Sequence, residues 1–264
     1  MRLAMHEDTS VGIDGLRKRM ILRLERSGLL PVPASRIPVR TPAGSPLAVW
    51  FDHTALKPEA DESVFTALCG EARSHGVASV CVPPNRVEQA AELLRGTEVK
   101  VCTVIGFPLG YSDSRCKAEE VKRALKQGCR EFDTVIPVGI AKDGNWEALF
   151  RDIRRTVEAA EGHLVKVILE TCLLTEEEKI LAGITSLLAG AHFLKTSTGF
   201  SAGGATLEDV RLLRAVAGGD RGVKASGGIR DLAFTRALIQ AGADRIGASA
   251  TVKILAEAEG EKGP

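Results

Sequence analysis

Lys195 closes a short apolar run, Ala-His-Phe-Leu-Lys-Thr-Ser-Thr-Gly (191–199), and the chain passes at once into a Thr/Ser/Gly loop. Gly-Val-Lys-Ala-Ser-Gly-Gly (222–228) repeats the design at Lys224. Two lysines at the ends of neighbouring strands repel, and one of them tends to shed its proton. A neutral lysine is a nucleophile toward carbonyls, and a nearby cation is one way to make it. Free lysine, with a pKa of about 10.4, is only about one part in two thousand neutral near pH 7. Bringing it to neutrality takes about three pH units, roughly 4–5 kcal/mol, which burial and a second ammonium can supply together. A single strand-end lysine is ordinarily solvated or paired with a carboxylate. The repeat on successive strands, with matched small-residue loops, favours a functional pair.

Asp133 sits mid-strand in Glu-Phe-Asp-Thr-Val-Ile-Pro (131–137), where a carboxylate needs a partner if buried. Facing inward it would meet the lysines, either transferring protons directly or through water, or serving as their counter-ion. Asp52, His53 and Thr54 close the first strand and could hold Lys224 or substrate hydroxyls. Lys57 follows in the next loop. Lys166 opens a strand, so it is expected at the bottom of the fold as a structural residue. Glu170 ends that strand and is expected to pair with one of the lysines. Gly199, Ser201 to Gly204, Ser226 to Gly228 and Ser249 form small-residue loops after the last three strands. Backbone N–H groups in such loops, with a helix start, can hold a phosphate. Together these residues suit an aldehyde or ketone with a distal phosphate, handled through an imine.

Positioning them requires strands that end at one common face. From about residue 46 the chain alternates short β-branched runs with amphipathic segments. Strands are expected at 48–52, 79–82, 100–105, 131–136, 165–170, 192–195, 222–225 and 245–247. Helices are expected at 61–75, 85–94, 114–127, 145–161, 176–189, 207–216, 232–241 and 250–258. Alternation implies parallel pairing, and eight such units fit the usual ~250 residues of a (β/α)8 TIM barrel. A doubly wound sheet often carries a glycine fingerprint after its first strand; here that place reads Asp-His-Thr-Ala-Leu-Lys-Pro. The barrel predicts chemistry at strand C-termini, where Asp52, Asp133, Glu170, Lys195 and Lys224 collect.

Residues 46–264 are taken as the barrel domain and 1–45 as an N-terminal helical extension. Within the extension, 11–29 reads as a basic amphipathic helix with Ile13, Leu16, Met20 and Leu24 on one face. Pro31, Pro33, Pro38 and Pro42 then make an extended linker. The helix is expected to cover the barrel bottom or a subunit contact in preference to a membrane surface. Net charge is +1 and aromatic content 4%, which gives no case for nucleic-acid or membrane attraction. The six cysteines lack zinc spacing and read as reduced thiols. Glu7 and Asp8 interrupt any signal-peptide pattern, and the expected compartment is the cytoplasm.

The sequence resembles the deoxyribose-phosphate aldolases. The resemblance rests on Phe-Asp-His-Thr-Ala-Leu-Lys-Pro (51–58), Ser-Val-Cys-Val-Pro-Pro (79–84), Val-Ile-Gly-Phe-Pro-Leu-Gly (104–110) and Glu-Phe-Asp-Thr-Val-Ile (131–136). Lys-Val-Ile-Leu-Glu-Thr (166–171), Leu-Lys-Thr-Ser-Thr-Gly-Phe-Ser (194–201), Lys-Ala-Ser-Gly-Gly-Ile-Arg (224–230) and Arg-Ile-Gly-Ala-Ser (245–249) complete it. It implies a class I aldolase that interconverts 2-deoxy-D-ribose 5-phosphate with acetaldehyde and D-glyceraldehyde 3-phosphate in deoxyribonucleotide catabolism, with no metal or other cofactor. By the resemblance Lys195 forms the Schiff base, Lys224 perturbs it and shares in proton transfer, and Asp133 is the proton donor and acceptor. Gly199, Gly227, Gly228 and Ser249 correspond to phosphate contacts, with Asp52 and Thr54 in support. The implied partner is a phosphosugar, and the implied assembly a homodimer or other homo-oligomer.

Two positions depart from the family. Some members carry a phosphate-binding lysine where this chain has Phe200. Some use a C-terminal tyrosine in proton transfer, whereas the single tyrosine here is Tyr111. A phosphosugar isomerase on the same barrel would need a carboxylate base and no imine-forming lysine. A phosphosugar sensor would need only the pocket.

Overall fold

Eight short strands pair in parallel in sequence order and close into a barrel, β8 onto β1. They are β1 (Phe51–Thr54), β2 (Ser79–Val82), β3 (Lys100–Ile105), β4 (Glu131–Val135), β5 (Leu164–Ile168), β6 (Phe193–Lys195), β7 (Gly222–Ser226) and β8 (Arg245–Ala248). This computed structural model describes residues 12–33 and 39–261. The helices are α1 (Ile13–Arg26), α2 (Glu62–His75), α3 (Val87–Leu93), α4 (Ser114–Lys126), α5 (Val138–Lys142), α6 (Trp146–Ala159), α7 (Glu176–Leu188), α8 (Leu207–Ala217), α9 (Leu232–Gln240) and α10 (Thr251–Gly260). The fold is the expected (β/α)8 TIM barrel. Its helix starts are set by local chemistry: Asp61, Asp113, Asn145, Thr206 and Asp231 cap with their side chains, and Thr175 with Glu178 forms a capping box. The first strand begins three residues later than expected because 47–50 forms a 3-10 turn, and α5 falls in a stretch read as loop.

Strand register decides what fills the barrel. Inward residues of alternate strands stack in layers of four. Asp52 is paired with Ser79 on one side and Gly247 on the other. Cys102 lies between Cys81 and Glu131, Lys166 between Asp133 and Phe193, and Lys224 between Lys195 and Arg245. The odd strands therefore supply a middle layer of Asp52, Cys102, Lys166 and Lys224. The even strands supply a lower layer of Ser79, Glu131, Phe193 and Arg245, and an upper layer of Cys81, Asp133, Lys195 and Gly247. Barrel centres are usually filled by branched apolar residues; this one is charged. Gly247 leaves room for the Lys224 side chain, since a Cβ there would lie 2.9 Å from Lys224 Cε. The apolar core sits outside the strands, between the barrel and its helices.

Of the two places expected for the helix of the extension, the structure contradicts the barrel bottom. Val11 and Pro38 lie outside the described residues, as does the end of the C-terminal tail. α1 does not cover the barrel bottom but lies across the outer side of α7, burying Met20 and Leu24. Arg17 donates to Val216 O of α8 at 2.5 Å. Arg23 grips Glu147 at the start of α6 through both oxygens, at 2.6 and 2.9 Å, and Gly144 O at 3.1 Å. The described end of the linker lies beneath the barrel instead: Arg40 pairs with Asp244 at 2.6 Å and Thr41 donates to Asp244 O at 2.7 Å. All six cysteines are free thiols. No described helix is long and apolar enough to cross a membrane.

Candidate active site

Lys195 and Lys224 are register partners on β6 and β7. Their ammonium groups converge on a single atom, Asp133 Oδ2, at 2.7 and 2.6 Å. Asp133 Oδ1 accepts from Lys166 at 3.0 Å and lies 3.3 Å from Cys102 Sγ. Lys166 was expected at the barrel bottom in a purely structural place; the structure puts it in the middle layer, touching Asp133. Its lower contacts are Glu131 at 2.6 Å and Asp52 at 3.5 Å. Asp52 was expected at the end of β1 but is the second residue of that strand and faces the barrel interior; there it holds Lys224 at 2.5 Å, as expected, and also Arg245 at 2.5 Å. Thr54 turns its hydroxyl onto Asp52 O at 2.8 Å and lines the cavity above.

The electrostatics follow from these contacts. Burial alone would raise the Asp133 carboxyl, but Lys166, Lys195 and Lys224 outweigh it and hold it well below the usual carboxylate range. Burial would lower Lys224, but Asp133 and Asp52 hold it above the ordinary lysine range. The repulsion expected between the two lysines is thus offset by the carboxylate they share, and Lys224 stays charged. Among the described residues the barrel interior sets four cations, Lys166, Lys195, Lys224 and Arg245, against three carboxylates, Asp52, Glu131 and Asp133. One proton is in excess of balance. Lys195 is the member of this set that also lines the open cavity.

Glu170 makes no ion pair with these lysines. It sits in a left-handed turn at φ 55° that carries the chain aside after β5. Its carboxylate accepts instead from the Thr198 hydroxyl and from Thr198 N at 3.2 Å. Thr198 Oγ1 in turn accepts from Phe200 N at 3.0 Å. Glu170 therefore sets the loop that follows Lys195.

Above the lysines opens a cavity of about 840 Å³, within the usual range for small-molecule sites, roughly 300–1,000 Å³. Gly199, Gly227, Gly228 and Ser249 all line it, together with Lys195. Gly227 has φ 91° and a Cβ there would meet Gly204 Cα at 3.0 Å, so two loops close on each other only through glycine. Ser249 stands at the start of α10, where helix N–H groups are free. Sequence reasoning gave no role to Arg230, which lines the same wall, as Lys57 does opposite; a cation two residues past a Gly-Gly pair was the available signal.

Two buried groups have metal-like spacing, Cys81–Cys102–Asp133 and Asp52–Cys102–Glu131. Their carboxylates are already matched by ammonium and guanidinium groups. Burial, with the neighbouring Cys81 and Asp133, pushes the Cys102 thiol well up, away from the thiolate a metal requires. The donor set suits an ion-pair network, not a metal.

Residues 47–257 match the DeoC/LacD family aldolases. The chain belongs to that family. It is 56% identical over 210 residues to a deoxyribose-phosphate aldolase of Geobacillus sp. (strain WCH70), covering 79% of this chain and 94% of that one. It is 54% identical over 209 residues to one from Clostridium perfringens (strain ATCC 13124), covering 79% and 93%. Among solved structures, the tetrameric deoxyribose phosphate aldolase of Aeropyrum pernix is 36% identical with TM-score 0.76, covering 81% of this chain and 91% of that one. A chain from Coccidioides immitis is 39% identical with TM-score 0.81 and covers 96% and 100%. This aldolase is a carbon–carbon lyase on a TIM barrel.

Proposed function

We propose that this aldolase interconverts 2-deoxy-D-ribose 5-phosphate with acetaldehyde and D-glyceraldehyde 3-phosphate through an imine on Lys195. The observation that carries the reading is the pair of ammonium groups on one oxygen of Asp133, with only Lys195 open to the cavity. Lys195 is the reacting amine in this reading, since of the two lysines on Asp133 it is the one that faces the cavity. The amine adds to the carbonyl carbon and water departs, giving a protonated imine. Loss of the C3 hydroxyl proton and cleavage of the C2–C3 bond leave electrons on the two-carbon fragment as an enamine and release the three-carbon aldehyde. Asp133 and Lys224, linked at 2.6 Å, are placed to pass protons to and from the reacting hydroxyl and the enamine carbon, directly or through water. No tyrosine is needed for this path.

The phosphate is assigned to Gly199, Gly227, Gly228 and Ser249, with Arg230 and Lys57 lining the same cavity. Residues 46–264 are read as the aldolase unit and 1–45 as its appended extension. A homo-oligomer, a place in the cytoplasm and a role in deoxyribonucleotide breakdown accompany this reading, and light scattering tests the first. The test of the reaction is borohydride reduction in the presence of deoxyribose 5-phosphate, followed by peptide mass spectrometry. A reduced adduct is expected on Lys195, and Lys195→Ala is expected to form none and to lose turnover. Binding of the sugar phosphate without any adduct would instead fit the isomerase or sensor.

A further inference from the structure

The cavity is lined by segments after β1, β6, β7 and β8, together with α2; the loops after β2 to β5 contribute nothing to it among the described residues. Over that other half lies a contact between loops whose strands stand apart. Phe107 follows β3 and Phe200 follows β6, with β4 and β5 between them in the barrel. Their rings meet edge to face, centroids 5.2 Å apart at 86°. Phe107 is half buried against the cluster of Cys81, Cys102 and Val104, as Leu56 is. Phe200 is 49% exposed and also lines the cavity beside Lys195 and Thr198. Its backbone is fixed by the bond to Thr198 Oγ1 and, through it, by Glu170. A half-exposed aromatic held from beneath and from the side is an apolar surface with a task. Asp133, on β4, lies under the span.

We propose that the Phe107–Phe200 pair is a latch that shields the enamine carbon on Lys195 from water and so favours carbon–carbon bond formation over reprotonation. The proposal rests on Lys195 forming the imine. With acetaldehyde, the amine adds, water leaves, and loss of a methyl proton to the Asp133 network gives the enamine. Its terminal carbon then either bonds to the acceptor's aldehyde carbon or takes a proton back to the imine, which water hydrolyses to acetaldehyde and the Lys195 amine. Water reaching that carbon raises the second outcome alone. Phe107 and Phe200 are positioning residues in this scheme, since they touch no reacting atom.

The test follows acetaldehyde and D-glyceraldehyde 3-phosphate with the full chain in D2O by NMR. The reading is the ratio of deuterium entering the acetaldehyde methyl to deoxyribose 5-phosphate formed. Phe200→Ala and Phe107→Ala are each expected to raise that ratio about 2- to 10-fold, the size of one aromatic pair's contribution. Phe107→Leu, which keeps the apolar cluster filled, guards against a folding defect and is expected to raise it as well. The double alanine variant is expected to be no worse than the worse single, because either loss opens the same span. A loss of both rates together with an unchanged ratio would show a merely structural role and overturn the latch. So would fully additive effects. Wild-type protein that neither exchanges deuterium nor traps an imine on Lys195 would sink the aldolase mechanism itself, a result separable from failure of the latch alone.

Discussion

A single carboxylate oxygen carries the arrangement at Lys195. Asp133 Oδ2 is shared by two ammonium groups while Oδ1 is held by a third. Asp133→Asn keeps the shape and removes the charge that balances them. It is expected to lower kcat by about 10²-fold or more, the usual weight of a proton-transfer group, while borohydride still marks Lys195. A kcat within threefold of wild type would refute the assignment of proton transfer to Asp133. Lys195, Lys224 and Asp133 were legible because each interrupts an apolar run at a strand end or centre. Glu131, Lys166 and Arg245 were not: Glu131 and Arg245 open their strands and read as solvated, and Lys166 was placed near a strand start, whereas β5 begins at Leu164 and puts it at the centre. Side-chain alternation was the available signal: Glu131 and Asp133 are two apart on one strand and must share the inward face. Glu170 misled because the left-handed turn that diverts it leaves no mark in the residue types around it.

At the scale of elements, the eight strands and all the barrel helices but one were visible in alternation and periodicity, with ends exact or displaced by up to three residues. The helix α5 was hidden in Val-Gly-Ile-Ala-Lys, too short for periodicity to register. The seat of α1 was hidden too, although α7 pointed to it. Leu181 to Leu188 are all buried, so the second half of α7 is covered on every side, and a helix of that kind needs a second cover. α1 is that cover. Leu24 is fully buried beneath it. Leu24→Ala is expected to destabilise the protein by about 2–5 kcal/mol, read as an earlier urea midpoint, with kcat unchanged because α1 touches no cavity residue. An unshifted midpoint would mean that α1 folds independently of the barrel and does not brace it.

The whole molecule carries its ionic network inside and its charges nearly balanced outside, so acid should act on it in two separate windows. Asp52 and Asp133 are held below the carboxylate range by their cations, although burial opposes this. Their contribution is present above the unfolded carboxylate pKa, about 3.9, and is lost as pH falls below it. His192, just before β6, acts earlier. Its Nδ1 accepts from Val165 N at 3.1 Å, and its Nε2 is buried without a partner. A proton on Nδ1 would break the first contact, and a charge on the ring would lack solvation. Burial first, then Arg221 and Lys166, press its pKa down to about 4. The unfolded chain, with a histidine pKa of about 6.5, therefore binds a proton between pH 6.5 and 4 that the native ring refuses. Stability then falls as pH drops through that window, by up to about 3 kcal/mol at its lower end. His192→Asn keeps an acceptor near Nδ1 and cannot be protonated. Urea midpoints compared at pH 7 and pH 4.5 should fall less in the variant than in wild type, with the two converging in slope below pH 4, where carboxylates take over. Parallel losses in the two proteins across pH 7 to 4.5 would remove His192 from the account and assign the early acid sensitivity to groups outside the barrel.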